Sequence, residues 1–387
     1  MSSARPLRIA ILAHSTNPRG GVVHALALGD ALTRLGHEAV VHAPDAKGGG
    51  FFRKTLCETV CVAASPAGSS MREMVETRIA DYVGHFETPA RRRFDVFHAQ
   101  DGISGNALAT LQERSLIGRF ARTVHHVDAF EDISLAALQA RAIRSASRHF
   151  VVSRLWQAAL ARDLGIAAAI VGNGVDRRVF SRRGDGRERA LRERFGLGVG
   201  PIYLSVGGVE ARKNTLRIFQ AFQQVRTIHP SARLVIAGGA SLLDHGAYQA
   251  AFQAEIAADP QSARAVTLTG PIDQADMPAL YRIADALVFP SIMEGFGLVA
   301  LEAIACGTPV VTSRIAPFTE HFGDHDVVWC DPLSVGSIAN AMAAILAPRV
   351  REQLAARAEH ALAAHDWDRT ATAHLPLYES LREAIHA

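Results

Sequence analysis

Apolar positions along this chain fall into short runs separated by segments with helical spacing. Leu7 to His14, LRIAILAH, is a run rich in β-forming residues; the glycine turn NPRGG follows, then VVHALALGDALTRLGH at helical spacing, then EAVVHAP as a second strand. That is a βαβ unit. FDVFHAQD, RTVHHVD, RHFVVS and AAIVGNGVD continue the series of strands, with the helical segments GNALATLQ and RLWQAALARDLG among them. From Asp176 to Gly200 the chain is rich in arginine and punctuated by glycine, after which the alternation restarts. PIYLSVGG, ARLVIAGG, AVTLTG, DALVFPS and TPVVTS read as strands; NTLRIFQAFQQVRTIH, MPALYRIA and the segment after Gly297 read as helices.

Strands that alternate with helices need crossover connections, and crossovers build parallel sheets covered on both faces. Two such runs predict an α/β protein of two doubly wound, Rossmann-like domains, residues 1–175 and 176–365, facing each other across a cleft. A last segment, 366–387, reads as an amphipathic helix with Trp367 and Tyr378 on it. The length of 387 residues agrees, because it exceeds one ordinary core and fits two of about 150 to 200 residues.

Composition trims the choices. Hydrophobic residues make up 49% and charged ones 20%, which describes packed cores and not a disordered chain. A formal charge of +3 gives no reason to expect a nucleic-acid partner. The opening apolar run is too short for a signal peptide or a membrane span, so a cytoplasmic location is expected, with peripheral membrane contact left open. Cys57, Cys61, Cys306 and Cys330 match neither a redox pair nor a zinc knuckle, and no metal is expected. Asp324-His325-Asp326 spells a D-x-D metal pattern, but late in the second domain, and reads as surface loop. Only Lys47, Lys54 and Lys213 are lysines among 41 basic residues, which draws the eye to Lys213.

Ligands of open α/β sheets bind just beyond the carboxyl ends of the strands, so the chemistry is sought there. After DALVFPS comes Glu294-Gly295-Phe296-Gly297, then a helix from Leu298 that Gly307 ends. Glycines before a helix start leave backbone N–H groups aimed outward, a seat for phosphate. Glu294 lies just before that seat and suits an uncharged polar group; Glu302, inside the helix, suits a pair of hydroxyls. Arg212 and Lys213 follow the first strand of the second run, and two adjacent cations there are fit to neutralise a diphosphate. Cations at a helix amino end oppose its dipole, and that unfavourable placement points to a ligand.

In order and spacing, VGNGVDRRVF, VGGVEARKN, ARLVIAGG, LTGPI, LYRIADALVFPSIMEGFGLVALEAIACGTPVVTS and WDRTATAHLPLYESL resemble the retaining glycosyltransferases of family 4, the glycosyl transferases group 1, which have the GT-B fold. GGVVHALALGDALTRLGHEAVVHAP and DVFHAQD are similar to that family's acceptor-side domain. The resemblance implies that Glu294 binds donor-sugar hydroxyls together with backbone groups of Gly295, Phe296 and Gly297. It implies that Leu298 and Val299 present N–H groups to phosphate and that Glu302 holds the ribose. Arg212 and Lys213 match the pair that stabilises the departing diphosphate, and Gly208 and Ile272 fall at donor-side positions. His125 resembles the histidine near the donor sugar, with His126 as the competing assignment; Gly20, Gly21 and His24 match the flexible loop reached by acceptor and phosphate. Many relatives carry an arginine where this chain has Gly208, so Arg212 must supply the guanidinium. The last helix of this fold class crosses back to the first domain.

The implied reaction moves a hexosyl unit from a UDP-, GDP- or ADP-sugar to a hydroxyl acceptor with retention, using no metal and no cofactor. The acceptor face is expected in the stretch DAKGGGFFRKTL through ARRRFD, rich in glycine and arginine. A nicotinamide enzyme fits less well, because AHSTNPRGG lacks GxGxxG and no acid ends the second strand. A pyridoxal-dependent phosphorylase lacks a suitably placed lysine. A catalytically silent nucleotide-sugar-binding protein is the alternative that the residues leave open.

Overall fold

The computed structural model describes residues 5–239 and 246–386. Its internal contacts divide the chain into two units, one ending at Gly174 and resuming at Asp366, the other Val175–His365. The first unit contains β1 (Arg8–Leu12), α1 (Gly20–Arg34), β2 (Glu38–Asp45), β3 (Glu58–Ala63), α2 (Met71–Glu87), β4 (Val96–Ala99) and α3 (Gly102–Glu113). It continues with β5 (Phe120–Val124), α4 (Ile133–Arg144), β6 (Arg148–Val151), α5 (Arg154–Leu164) and β7 (Ala169–Ile170). The second unit contains α6 (Arg187–Arg194), β8 (Ile202–Val206), α7 (Thr215–Ile228), β9 (Arg233–Ala237), α8 (Gly246–Ala258), α9 (Pro260–Ala263), β10 (Val266–Gly270) and α10 (Met277–Ile283). After these come β11 (Ala286–Phe289), α11 (Leu298–Ala305), β12 (Val310–Ser313), α12 (Phe318–His321), β13 (Val328–Cys330), α13 (Val335–Ala344) and α14 (Pro348–Ala363). α15 (Trp367–His386) returns the chain to the first unit.

Both sheets are parallel. The first has the order β3-β2-β1-β4-β5-β6-β7 and the second β10-β9-β8-β11-β12-β13. In each, the order reverses beside the first strand of the unit, between β1 and β4 and between β8 and β11. Loops leaving two such neighbours run in opposite directions and open a crevice at the carboxyl edge. In the second sheet the two loops are Gly207–Lys213 and Pro290–Gly297, the stretches in which the sequence places the cations and Glu294.

The strands are apolar on both faces because helices cover both. Tyr203, Leu234 and Val288 are buried in one cluster with Phe219 and Phe222 of α7 and Met342 of α13, and the Tyr203 hydroxyl donates to the Met342 carbonyl at 2.8 Å. In the first unit α1 is buried along most of its length. α15 packs against it and against β4, β5 and β6. There Tyr378 is fully buried with its hydroxyl 2.7 Å from His98 Nδ1, and Arg34 Nε donates to Asp368 at 2.9 Å.

The stretch expected as an acceptor face is more ordered than its composition suggests. It holds β3, an edge strand whose Glu58 and Thr59 face solvent, and α2, whose start carries a full capping box between Ser70 and Glu73. Only Arg78, Tyr82, Val83 and Phe86 of α2 are buried, too sparse an apolar stripe to stand out in the sequence.

Gly174 ends the first unit's opening stretch against the point where the chain re-enters it. A Cβ on Gly174 would lie 2.4 Å from the Trp367 amide nitrogen and 2.7 Å from the Asp366 carbonyl carbon. Backbone cannot yield as a side-chain tip can, so Gly174→Ala is expected to lower unfolding stability by about 1–3 kcal/mol in chemical denaturation. Native stability in that variant would contradict the close approach.

Candidate functional site

β8 is followed by Gly207 and Gly208, with φ of +124° and +74°. A Cβ on Gly208 would stand 2.9 Å from the Gly239 carbonyl oxygen. An arginine at this place would therefore have no room; backbone conformation and the neighbouring loop both exclude a side chain. Ala211–Lys213 form a separate 3-10 turn ahead of α7. Asn214, at φ +63°, joins turn to helix and donates through Nδ2 to the carbonyls of Pro290, at 3.1 Å, and Pro332, at 2.6 Å. The Ile292 amide donates to the Arg212 carbonyl at 2.8 Å. These bonds join the loop after β8 to the loop after β11.

The joined loops bring four charges together. Lys213 Nζ is 2.5 Å from Glu294 Oε1, Arg212 Nη1 is 3.5 Å from the same oxygen, and Arg212 Nε is 2.9 Å from Glu210 Oε2. Glu210, Lys213 and Glu294 are 1%, 7% and 8% exposed. Lys213 also lies 4.4 Å from the centre of the Phe289 ring. Burial pulls Lys213 below the usual lysine range, against the opposing effect of Glu294. Burial pushes Glu294 up, but Lys213 and then Arg212 more than reverse it, and its carboxyl is held below the usual range.

Arg212 and Lys213 are already paired with Glu210 and Glu294 in the folded protein. They lie in their own 3-10 turn directly ahead of the amino end of α7. Glu210 escaped the reading of the sequence, although an acid two positions before Arg212 at a strand end was a usable signal.

Beyond Glu294 the chain turns into α11. Gly297 has φ +95°, and a Cβ there would lie 2.5 Å from the Phe318 ring, so no other residue fits without displacing it. No side chain caps this helix end. The N–H groups of Leu298 and Val299 are among those that an α-helix leaves without intrahelical partners. Phe296, 5% exposed, packs on His321 with ring centres 4.0 Å apart. Burial lowers His321 to about 3, so a neutral ring supports the glycine loop. In the second turn Glu302 accepts from the Tyr281 hydroxyl at 2.7 Å. Burial raises Glu302 to about 7, and the bond from Tyr281 acts the other way. Ile272 stands apart from this group: it follows β10, two strands from β8 in the sheet order.

In the first unit Gly20 and Gly21 open α1 and do not form a loop of their own. A Cβ on Gly21 would lie 3.6 Å from the His125 ring. His125 Nε2 is 3.0 Å from Gln100 Oε1, and burial takes its pKa well below the usual value, so its ring is neutral at pH 7. His126 is exposed and sits 3.3 Å from Asp128. Of the two, His125 is the one beside Gly21. His24, expected with the glycines at an acceptor loop, is fully buried, 2.6 Å from Asn173 Oδ1 and edge-on to Trp367. Its pKa is lowered to about 4 by burial, and its place is packing between α1 and α15.

Among the described residues no group of three or more His, Cys, Asp or Glu could hold a metal ion. Asp324 is exposed and bonded to Arg314, as a surface loop would be, but Asp326 is 5% exposed, accepting from the Gly323 amide at 2.8 Å and from Arg357 at 3.2 Å. No helix among the described residues is long and apolar enough to cross a membrane.

Two family models match the chain in succession: Glycosyltransferase Family 4 over residues 18–179 and Glycosyl transferases group 1 over residues 189–361. A D-inositol 3-phosphate glycosyltransferase of Stackebrandtia nassauensis is 30% identical over 300 residues, 72% of this chain and 66% of that one. The chain spans about half the length of several curated relatives that it matches, 41% and 45% in two cases. Among solved structures, a sucrose-phosphate synthase from Thermosynechococcus elongatus superposes with a TM-score of 0.79 at 22% identity, over 98% of this chain and all of that one. The Anabaena HepE protein, in complex with UDP and glucose, gives 0.74 at 19% identity, over 97% and 99%. These likenesses show the fold, GT-B, with its two parallel-sheet α/β domains. The two family models, which in succession match most of the chain, establish that it belongs to the glycosyl transferases group 1, the family 4 glycosyltransferases.

Proposed function

We propose that this protein moves a hexosyl unit from a nucleoside diphosphate sugar to a hydroxyl acceptor, with retention of configuration and without a metal ion. The observation that carries the reading is the buried Lys213–Glu294 pair, set at the switch point of the second sheet beside the uncapped start of α11. Glu294 offers a carboxylate to sugar hydroxyls. Leu298 and Val299 offer N–H groups and the positive end of a helix to phosphate. The HepE neighbour, solved with UDP and glucose, supports a donor of this class. UDP-, GDP- and ADP-sugars all carry the diphosphate that this chemistry needs.

Charge develops on the diphosphate as its bond to the anomeric carbon breaks. Lys213 and Arg212, fixed by Glu294 and Glu210 before any donor arrives, stand ready for that charge and need little rearrangement. They and the helix start would do the work that a divalent cation does in other sugar transfers. A phosphate oxygen of the leaving group takes the acceptor's proton while the acceptor oxygen bonds to the anomeric carbon on the same face. His125 is neutral at working pH, and so serves as a hydrogen-bonding partner and not as a cationic acid.

With UDP-, GDP- and ADP-glucose and a panel of hydroxyl acceptors, Glu294→Gln and Lys213→Met should each lower kcat/KM about 100-fold or more in transfer or donor hydrolysis. Full-speed turnover by either variant, or donor binding with no turnover on any acceptor, would contradict the proposal. Excess EDTA should leave the native rate unchanged, and NMR of the first product formed should show the donor's anomeric configuration; loss of activity or an inverted product would refute those two parts.

A further inference from the structure

Glu302 is held by one carboxylate oxygen. The Tyr281 hydroxyl donates to Oε2 at 2.7 Å, while Oε1 has no protein partner among the described residues. Tyr281 is itself fixed. It is fully buried, lies edge-on to Phe180 with centres 6.1 Å apart, and its carbonyl accepts from the Thr308 hydroxyl at 2.6 Å. A phenol has one proton to give, and Glu302 receives it.

No cation reaches this carboxylate among the described residues. On α10, Arg282 is taken by Glu188 at 2.5 Å and Asp185 at 3.1 Å. On α14, Arg351 bonds Asp285, Arg357 bonds Asp326 and His360, and Glu359 bonds Arg177. Arg349 and Glu352 of α14 are exposed. β11 and β12 contribute no ionisable side chain. Cys306, just past the end of α11, is a neutral thiol, pushed up to about 12 by burial. Glu302 thus keeps its charge only with the help of Tyr281 and of whatever binds Oε1.

We propose that Tyr281 is a positioning residue that holds Glu302 by one oxygen and turns the other toward a ribose diol, and that binding a ribonucleoside diphosphate drives the proton off Glu302. The inference rests on the donor reading above. Ribose hydroxyls donate to an ionised carboxylate, so the bound state favours ionisation. Burial places the free group at about 7. Binding at or below that pH must therefore expel a proton, and affinity falls as pH drops through 7. Tyr281→Phe keeps the ring and removes the donor, which raises Glu302 further and moves the fall in affinity to higher pH.

The test is calorimetric titration of the full chain with UDP, GDP and ADP and their 2′-deoxy forms, at pH values on both sides of neutrality and in two buffers of different ionisation heat. Native protein should release a proton on binding below neutrality and should prefer the ribo form. Tyr281→Phe should lose about tenfold in ribonucleotide affinity near pH 7 and recover most of it in alkali, with less effect on the deoxy form. Glu302→Gln, which cannot titrate, should bind without pH dependence. A Tyr281→Phe loss that is equal at every pH and for both sugars would reduce Tyr281 to a structural role and overturn the proposal, as would an unchanged affinity. Failure of the native chain to bind any of the three nucleotides would overturn the donor reading and this inference with it.

Discussion

A lysine and a glutamate 2.5 Å apart, both less than a tenth exposed, form the contact around which the second domain's carboxyl edge is arranged. Each charge alone would be expensive to bury, and together they are tolerable only because geometry is close and Arg212 and Glu210 complete the balance. The pair spans the reversal in strand order, with Lys213 arriving from β8 and Glu294 from β11. Sheet topology, and not local propensity, is what brings them together. Asn214 and the Ile292 amide fix the two loops to one another, so the charges are held by backbone as well as by attraction.

This arrangement suits a reaction in which charge moves. A self-neutralised cluster can wait without a ligand, and on the proposed reading its members are already placed when negative charge appears on a leaving diphosphate. On that same reading the neighbouring helix start and Glu302 would add a phosphate contact and a ribose contact along one loop and one helix. In the first domain the buried imidazoles work differently. His24, His98, His125 and His374 are all driven toward the neutral form by burial; His24 and His98 pack on α15 residues His374 and Tyr378, and His125 lies beside Gly21.

Much of this could be read from the chain, for identifiable reasons. Buried parallel strands are nearly continuous apolar runs, and glycines mark their ends, so the alternation that defines both domains and the loop from Glu294 to Gly297 stood out. β3 and α2 did not, because an edge strand and a helix with one narrow buried stripe carry weak patterns. Side-chain pairing was harder still. Nothing in VEARKN says that Lys213 meets Glu294, which lies 81 positions away. The absent arginine at Gly208 was visible as a departure, but its cause, a left-handed turn pressed on Gly239, needed coordinates. The burial of His24 against Asn173 and Trp367 was likewise invisible, because nothing near a glycine turn says which polar side chain the fold encloses.

The central claim is that Lys213 and Glu294 stabilise each other as a desolvated pair. A double-mutant cycle on unfolding free energy tests it most directly, with Lys213→Met, Glu294→Gln and both changes combined. Each single change should cost about 3–5 kcal/mol by stranding a buried charge, and the double variant should cost much less than their sum. Strictly additive losses, or single variants as stable as the native protein, would show that the two side chains do not depend on one another.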